Sequence, residues 1–217
     1  MDGQASEMKL PRLYPILSTD ALQRCGVTLE SAAEAMLQGG AEILQFRHKA
    51  HWSDRELKQA QWLAAQCQQT GALFVINDRA DIAKLVGAAL HLGQQDLPPS
   101  DVRQYASIIG LSTHNEYQMR AAANEPVDYI ALGPIFGTQS KENPDPVVGL
   151  TELTRLRPLT KKPLVAIGGI TLDNAAEVIR AGADSVAIIS GLLSDPQRIR
   201  QTTELWRKQL SSLQKHS

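Results

Sequence analysis

Short apolar runs recur along the chain, and most are followed by a stretch in which apolar residues return every three or four positions. The runs are Leu13 to Ser18, Glu42 to Arg47, Ala72 to Ile76, Ala89 to Gly93, Ser107 to Ser112, Asp128 to Gly133, Pro163 to Gly168 and Ser185 to Ser190. Their apolar residues are consecutive rather than alternating. That pattern marks strands covered on both faces, as in a parallel sheet wrapped by helices. The stretches between them carry helix signals. Thr28 stands as an N-cap, with Ser31 three residues on and Gly39-Gly40 as the stop. Ser53 with Glu56 reads as a capping box for a helix that ends at Gly71. A third helix is expected over TLDNAAEVIRAGA, stopped by Gly182.

Eight strand–helix units in one chain predict an α/β protein, a single-domain (β/α)8 TIM barrel. A doubly wound open sheet is the competing architecture. The count of eight favours the barrel, as does the lack of a G-x-G-x-x-G after the first run. The barrel is expected over residues 11–212, with a flexible N-terminal arm over 1–10 and a flexible tail over 213–217.

Composition narrows the function classes. The chain has 217 residues, 43% of them hydrophobic, so a core can form without disulfides or a structural metal. A formal net charge of -1 gives no attraction to nucleic acid or to an anionic membrane. No apolar run is long enough to cross a bilayer, and MDGQASEMK lacks the apolar middle of a signal peptide. Cys25 and Cys67 have no metal-ligand spacing and read as reduced thiols of a cytoplasmic protein. A homo-oligomer is compatible with this reading.

In a barrel of this type the chemistry gathers at the C-terminal ends of the strands. After the second run, Gln45, Arg47 and Lys49 alternate onto one face, and two cations there suit a diphosphate. Asp78 closes the third run and Asp96 follows the fourth; two neighbouring carboxylates suit a hard cation such as Mg2+. Asp78 could equally cap the next helix, and Asp96 could serve the turn before Pro98-Pro99. His91 sits inside a run and reads as an interior histidine. His114, after the fifth run, could be a base, a phosphate donor or a plain loop residue. The long segment GPIFGTQSKENPDP carries Thr138, Ser140 and Lys141, which suit an oxyanion cradle on a lid. Gly168-Gly169 and Ile189-Ser190-Gly191 close the last two runs, where such barrels often bind phosphate.

Taken together, QFRHK, VINDRADIA, HLGQQDLP, GLSTH, DYIALGPIFGTQSK, VAIGGIT and AIISGL resemble the thiamine phosphate synthase (thiamine-phosphate pyrophosphorylase) family in order and spacing. The resemblance runs from about Leu13 to the last helix. It implies small-molecule substrates, hydroxymethylpyrimidine diphosphate and a phosphorylated thiazole alcohol, and the products thiamine phosphate and pyrophosphate. It implies that Gln45, Phe46, Arg47, His48 and Lys49, with Asn77, Ser112 and Lys141, hold the pyrimidine diphosphate. Asp78 and Asp96 would bind magnesium. Thr138, Gln139, Ser140, Gly169, Ile189 and Ser190 would hold the thiazole phosphate. Arg47, Lys49 and Lys141 would serve catalysis by stabilising the departing pyrophosphate in a dissociative mechanism. The chain departs from the family pattern at Ala88-Ala89-Leu90-His91, one residue shorter than usual, and at His48, where the family is often acidic. A thiazole tautomerase-like relative and a non-catalytic sensor of phosphate ligands are the alternatives. Asp78, Asp96 and the intact Thr138–Lys141 run weigh against the first, and the completeness of the ring against the second.

Overall fold

Each of the eight apolar runs forms a strand in the computed structural model, which describes residues 8–137 and 145–213. The strands are β1 (Leu13–Ser18), β2 (Ile43–Arg47), β3 (Leu73–Asn77), β4 (Ala89–Leu92), β5 (Ile109–Thr113), β6 (Tyr129–Leu132), β7 (Leu164–Ile167) and β8 (Ser185–Ile188). They pair in chain order, all parallel, and β8 returns to β1 to close the barrel. The helices are α1 (Thr19–Cys25), α2 (Leu29–Gln38), α3 (Asp54–Thr70), α4 (Ala80–Val86), α5 (Pro99–Val102), α6 (Glu116–Asn124), α7 (Gly149–Leu156), α8 (Ala175–Arg180), α9 (Ser190–Leu193) and α10 (Ile199–Ser211). Among the described residues, none is long and apolar enough to cross a membrane. Residues 1–7 and 214–217, parts of the expected arm and tail, lie outside the described residues, as do Thr138, Gln139, Ser140 and Lys141.

Local chemistry sets the helix ends. Thr28 accepts from the Ser31 amide at 3.2 Å and starts α2. At α3, Ser53 accepts from the Arg55 amide at 3.2 Å while Glu56 accepts from the Ser53 amide at 2.9 Å. Gly71 ends α3 at φ 73, a left-handed conformation open to glycine at little cost. The helix expected from Thr171 starts later, at Ala175. Asn174 accepts from the Thr171 amide at 2.8 Å, so residues 171–174 form a side-chain-closed turn instead. The chain enters β4 through a tight turn: Gly87 is left-handed and Ala88 donates to the Ala83 carbonyl at 2.9 Å. β4 itself pairs with both neighbours.

Two layers of core result from strand alternation. Leu44, Phe46, Phe74, Ile76, Leu90, Ile130, Leu132 and Leu164 pack outward beneath the helices. Tyr14, Ile16, Ile43, Val75, Ala89, Tyr129, Ala131, Val165 and Ala187 fill the barrel itself. Alanines and Gly110 at the latter level leave room for two tyrosines. A Cβ on Gly110 would lie 2.0 Å from Cζ of Tyr129, so that ring occupies the space a side chain at 110 would need.

Candidate active site

The inward parity of β2 carries Gln45 and Arg47 to the mouth. Gln45 is buried and donates through Nε2 to the Tyr14 hydroxyl at 2.9 Å. Arg47 reaches Ser18 Oγ at 3.3 Å, with Asp20 3.8 Å away. Lys49, just past the strand, is exposed and pairs with Asp78. Phe46 and His48, expected with them, face the other way, because alternate residues of a strand point to opposite sides. Phe46 is fully buried, edge-on to Trp52 at 5.5 Å between ring centroids. His48 bonds Thr19 Oγ1 at 3.0 Å and the His51 carbonyl at 3.1 Å.

At the end of β3, Asn77 is buried and its Nδ2 has no hydrogen-bond partner among the described residues. An unpaired buried amide costs about 1–3 kcal/mol, so such a donor at a barrel mouth is suited to a ligand. Asp78 follows at φ 65, a left-handed conformation that is uncommon outside glycine, and its amide donates to the His91 carbonyl at 2.8 Å. It does not cap α4: Arg79 holds that position, without a side-chain cap bond. Burial pushes the Asp78 pKa up; Lys49 pulls it down, and the carboxylate of Asp96 pushes it up further. Asp96 does close a turn, accepting from the Gly93 amide at 2.6 Å, and from there its carboxylate reaches Asp78.

The β5 end presents Ser112 and His114. Ser112 Oγ lies 2.9 Å from His91 Nε2, and the Ser112 carbonyl accepts from Gln94 at 2.6 Å. His91, read from sequence as interior, is buried, bonded also to the Tyr129 hydroxyl at 3.0 Å and stacked on that ring. His114 donates through Nδ1 to the Gly133 carbonyl at 2.6 Å, and its Nε2 lies 3.6 Å from Asp145. It thus joins both stems of the β6–α7 connection. Its carboxylate neighbour is distant in sequence and invisible to local reading.

Across the mouth, the end of β7 packs on the first stem of that connection. Ile135 and Phe136 donate to the carbonyls of Ile167 and Gly168 at 2.9 and 3.0 Å. A Cβ on Gly169, at φ +64, would meet the Gly137 carbonyl at 2.6 Å and Phe136 Cβ at 2.7 Å. The immediate steric reason for glycine there is this stem. Ile189 and Ser190 stand beyond β8, where α9 begins.

Among the described residues no group of three or more His, Cys, Asp or Glu side chains gathers around one point. Two adjacent carboxylates nevertheless fit magnesium, which keeps waters and takes substrate phosphate oxygens as further ligands. The mouth therefore combines cations, a carboxylate pair and an unsatisfied amide on one side with glycine-lined strand ends on the other. Sequence reading missed Tyr14 and Tyr129. Their inward parity, with Tyr14 two residues before Ile16, the register partner of Gln45, and Tyr129 opposite Gly110, was the available signal.

The family model described as Thiamine monophosphate synthase matches residues 13–192. The chain is 46% identical over 200 residues to a thiamine-phosphate synthase of Koribacter versatilis, covering 89% of this chain and 94% of that one. It is 42% identical over 178 residues to that of Laribacter hongkongensis, covering 80% and 83%. The solved thiamine phosphate pyrophosphorylase of Pyrococcus furiosus superposes with a TM-score of 0.81 at 32% identity, covering 92% of this chain and 95% of that one. A KDPGal structure, at 16% identity and a TM-score of 0.69, shares the fold alone. The chain belongs to the thiamine monophosphate synthase family.

Proposed function

We propose that this chain joins hydroxymethylpyrimidine diphosphate to a phosphorylated thiazole alcohol, giving thiamine phosphate and pyrophosphate. The observation that carries the reading is the orphaned Asn77 amide beside the Asp78–Asp96 pair, within a mouth that also holds Arg47 and Lys49. In the reaction the bond between the pyrimidine methylene carbon and the diphosphate oxygen breaks. Its electron pair leaves with pyrophosphate. The thiazole nitrogen then donates its lone pair to that carbon. No proton is gained or lost and no protein nucleophile is needed.

The residues then divide the work. Gln45 and Ser112 orient the pyrimidine. Arg47, Lys49 and Asn77 hold the diphosphate, and the two cations oppose the charge that develops as it departs. Asp78 and Asp96 would hold magnesium, which when bound supplies further neutralisation of the leaving oxygens. Gly169, Ile189 and Ser190 take the thiazole phosphate. Thr138, Gln139, Ser140 and Lys141 are assigned by the family pattern to the same two anions. The free thiols Cys25 and Cys67 suit a reducing cytoplasm.

The deciding experiment is an assay for thiamine phosphate from the two purified substrates, with and without magnesium. Equal amounts of thiamine phosphate and pyrophosphate, formed only with the metal, are expected. Binding of thiazole phosphate without any product formation would overturn the reading.

A further inference from the structure

Five polar side chains form one continuous line through the barrel. Gln45 Nε2 lies 2.9 Å from the Tyr14 hydroxyl, which lies 2.7 Å from that of Tyr129. The Tyr129 hydroxyl lies 3.0 Å from His91 Nδ1, and His91 Nε2 lies 2.9 Å from Ser112 Oγ. The line links β2, β1, β6, β4 and β5. Its three middle members are buried. Its two ends are the side chains that the proposed function places on the pyrimidine.

We propose that Tyr14, Tyr129 and His91 form a directional relay that sets which polar group Gln45 and Ser112 present to the pyrimidine. The proposal rests on the functional reading above for the ligand, but not for the direction. Direction follows from proton counting. Gln45 donates to Tyr14, so its Oε1 is left as an acceptor. Tyr14 has one proton, and with Gln45 as its donor that proton goes to Tyr129. The single proton of Tyr129 then goes to His91 Nδ1. Burial raises the pKa of both phenols, so neither gives up its proton to solvent. His91 must therefore carry its proton on Nε2 and donate it to Ser112. The hydroxyl proton of Ser112 is released for a ligand. The stacked rings of His91 and Tyr129, 5.5 Å apart and 23° from parallel, hold the imidazole in plane for both bonds.

Such a line has two self-consistent directions, and changing one means reversing all four bonds together. The direction set by the Gln45 amide offers an acceptor from β2 and a donor from β5. An aminopyrimidine, with an exocyclic N–H and an unprotonated ring nitrogen, matches that order. A pyrimidine carrying a carbonyl and a ring N–H in their place presents the opposite order. Tyr14, Tyr129 and His91 are positioning residues, and through Gln45 and Ser112 they select the amino form.

Two measurements test this. In 15N-histidine-labelled protein, the His91 signals (identified by their loss in His91→Gln) should show protonated Nε2 and bare Nδ1 at neutral pH. The opposite neutral tautomer, or an imidazolium, overturns the relay whether or not the protein makes thiamine phosphate. In the assay, Tyr129→Phe keeps the ring and removes two bonds. It should raise KM for the aminopyrimidine diphosphate about 3- to 10-fold, the scale of one neutral hydrogen bond, and leave KM for thiazole phosphate unchanged. It should also narrow the preference over the oxo analogue. Should Tyr129→Phe fail to fold, Tyr14→Phe serves instead. An equal rise in both KM values, or an unchanged preference, would make these residues structural and overturn the proposal. Failure of the parent protein to form product would count against the functional reading alone.

Discussion

Lys49 and Asp78 form an ion pair that spans the ends of β2 and β3. The pair does not offset the burial of the carboxylate, because burial is the largest influence on Asp78 and raises its pKa. The folded state therefore holds the Asp78 proton more tightly than the unfolded chain does. The stability from that proton is complete below the unfolded pKa and is lost as pH rises through the folded one. At neutral pH an ionised Asp78 opposes folding, and asparagine tolerates the left-handed backbone at least as well. Asp78→Asn should raise Tm at pH 7, with the gain shrinking as pH falls through the raised folded pKa and gone once the unfolded carboxyl is also protonated, below about pH 4. Melting curves at the two pH values check this. A lower Tm at pH 7 would mean that the Lys49 pair outweighs burial.

The same pair of carboxylates yields a binding prediction. Asp96→Asn should keep its turn, since an amide oxygen can still accept from the Gly93 amide. It should lose magnesium-dependent binding of pyrophosphate and lower turnover by a factor of tens. Calorimetry with pyrophosphate, with and without magnesium, reads this directly. Parental magnesium dependence in the variant would remove Asp96 from the metal site.

Gly169→Ala tests how the thiazole side of the mouth is built. The added methyl collides with Phe136 and Gly137. Overpacking of this kind costs about 1–3 kcal/mol. The variant should unfold at lower denaturant and bind thiazole phosphate more weakly, while pyrophosphate binding at the opposite strand ends is retained. Loss of thiazole phosphate binding with unchanged stability would point to direct contact with the ligand instead.

The capping box of α3 offers a control remote from the mouth. Ser53→Ala should cost about 1 kcal/mol of stability and leave turnover unchanged. Ser53→Asp should recover most of the loss. Denaturant midpoints of the three proteins decide it.

How much of this was legible in the sequence depends on the range of the interaction. Apolar runs gave all eight strands, and local caps gave the starts of α2 and α3, because both signals sit within a few residues. The start of α8 was misplaced because Asn174 folds back on Thr171, a bond no apolar period reveals. Parity placed Gln45 and Arg47 inward, and the same parity, applied to Phe46 and His48, turns them away. Asp78 and Asp96 could be named as candidates. Their proximity follows from the turn at Gly93 and the register of β3 on β4. The His114–Asp145 contact and the line from Gln45 to Ser112 were hidden. They join residues far apart in sequence, and barrel closure alone brings them together.

The ring of Tyr129 fills the place where Gly110 has no side chain, and the two positions therefore share one volume. A chain of this architecture cannot enlarge residue 110 and keep a tyrosine at 129. Gain of a methyl at the first should accompany loss of the phenol at the second. Residue 110 then serves as a marker readable without a structure. A relative with glycine there has space for the aromatic link across its barrel. A relative with a larger residue there must orient its pyrimidine-facing groups by other means, and its choice between amino and oxo ligands should follow different rules.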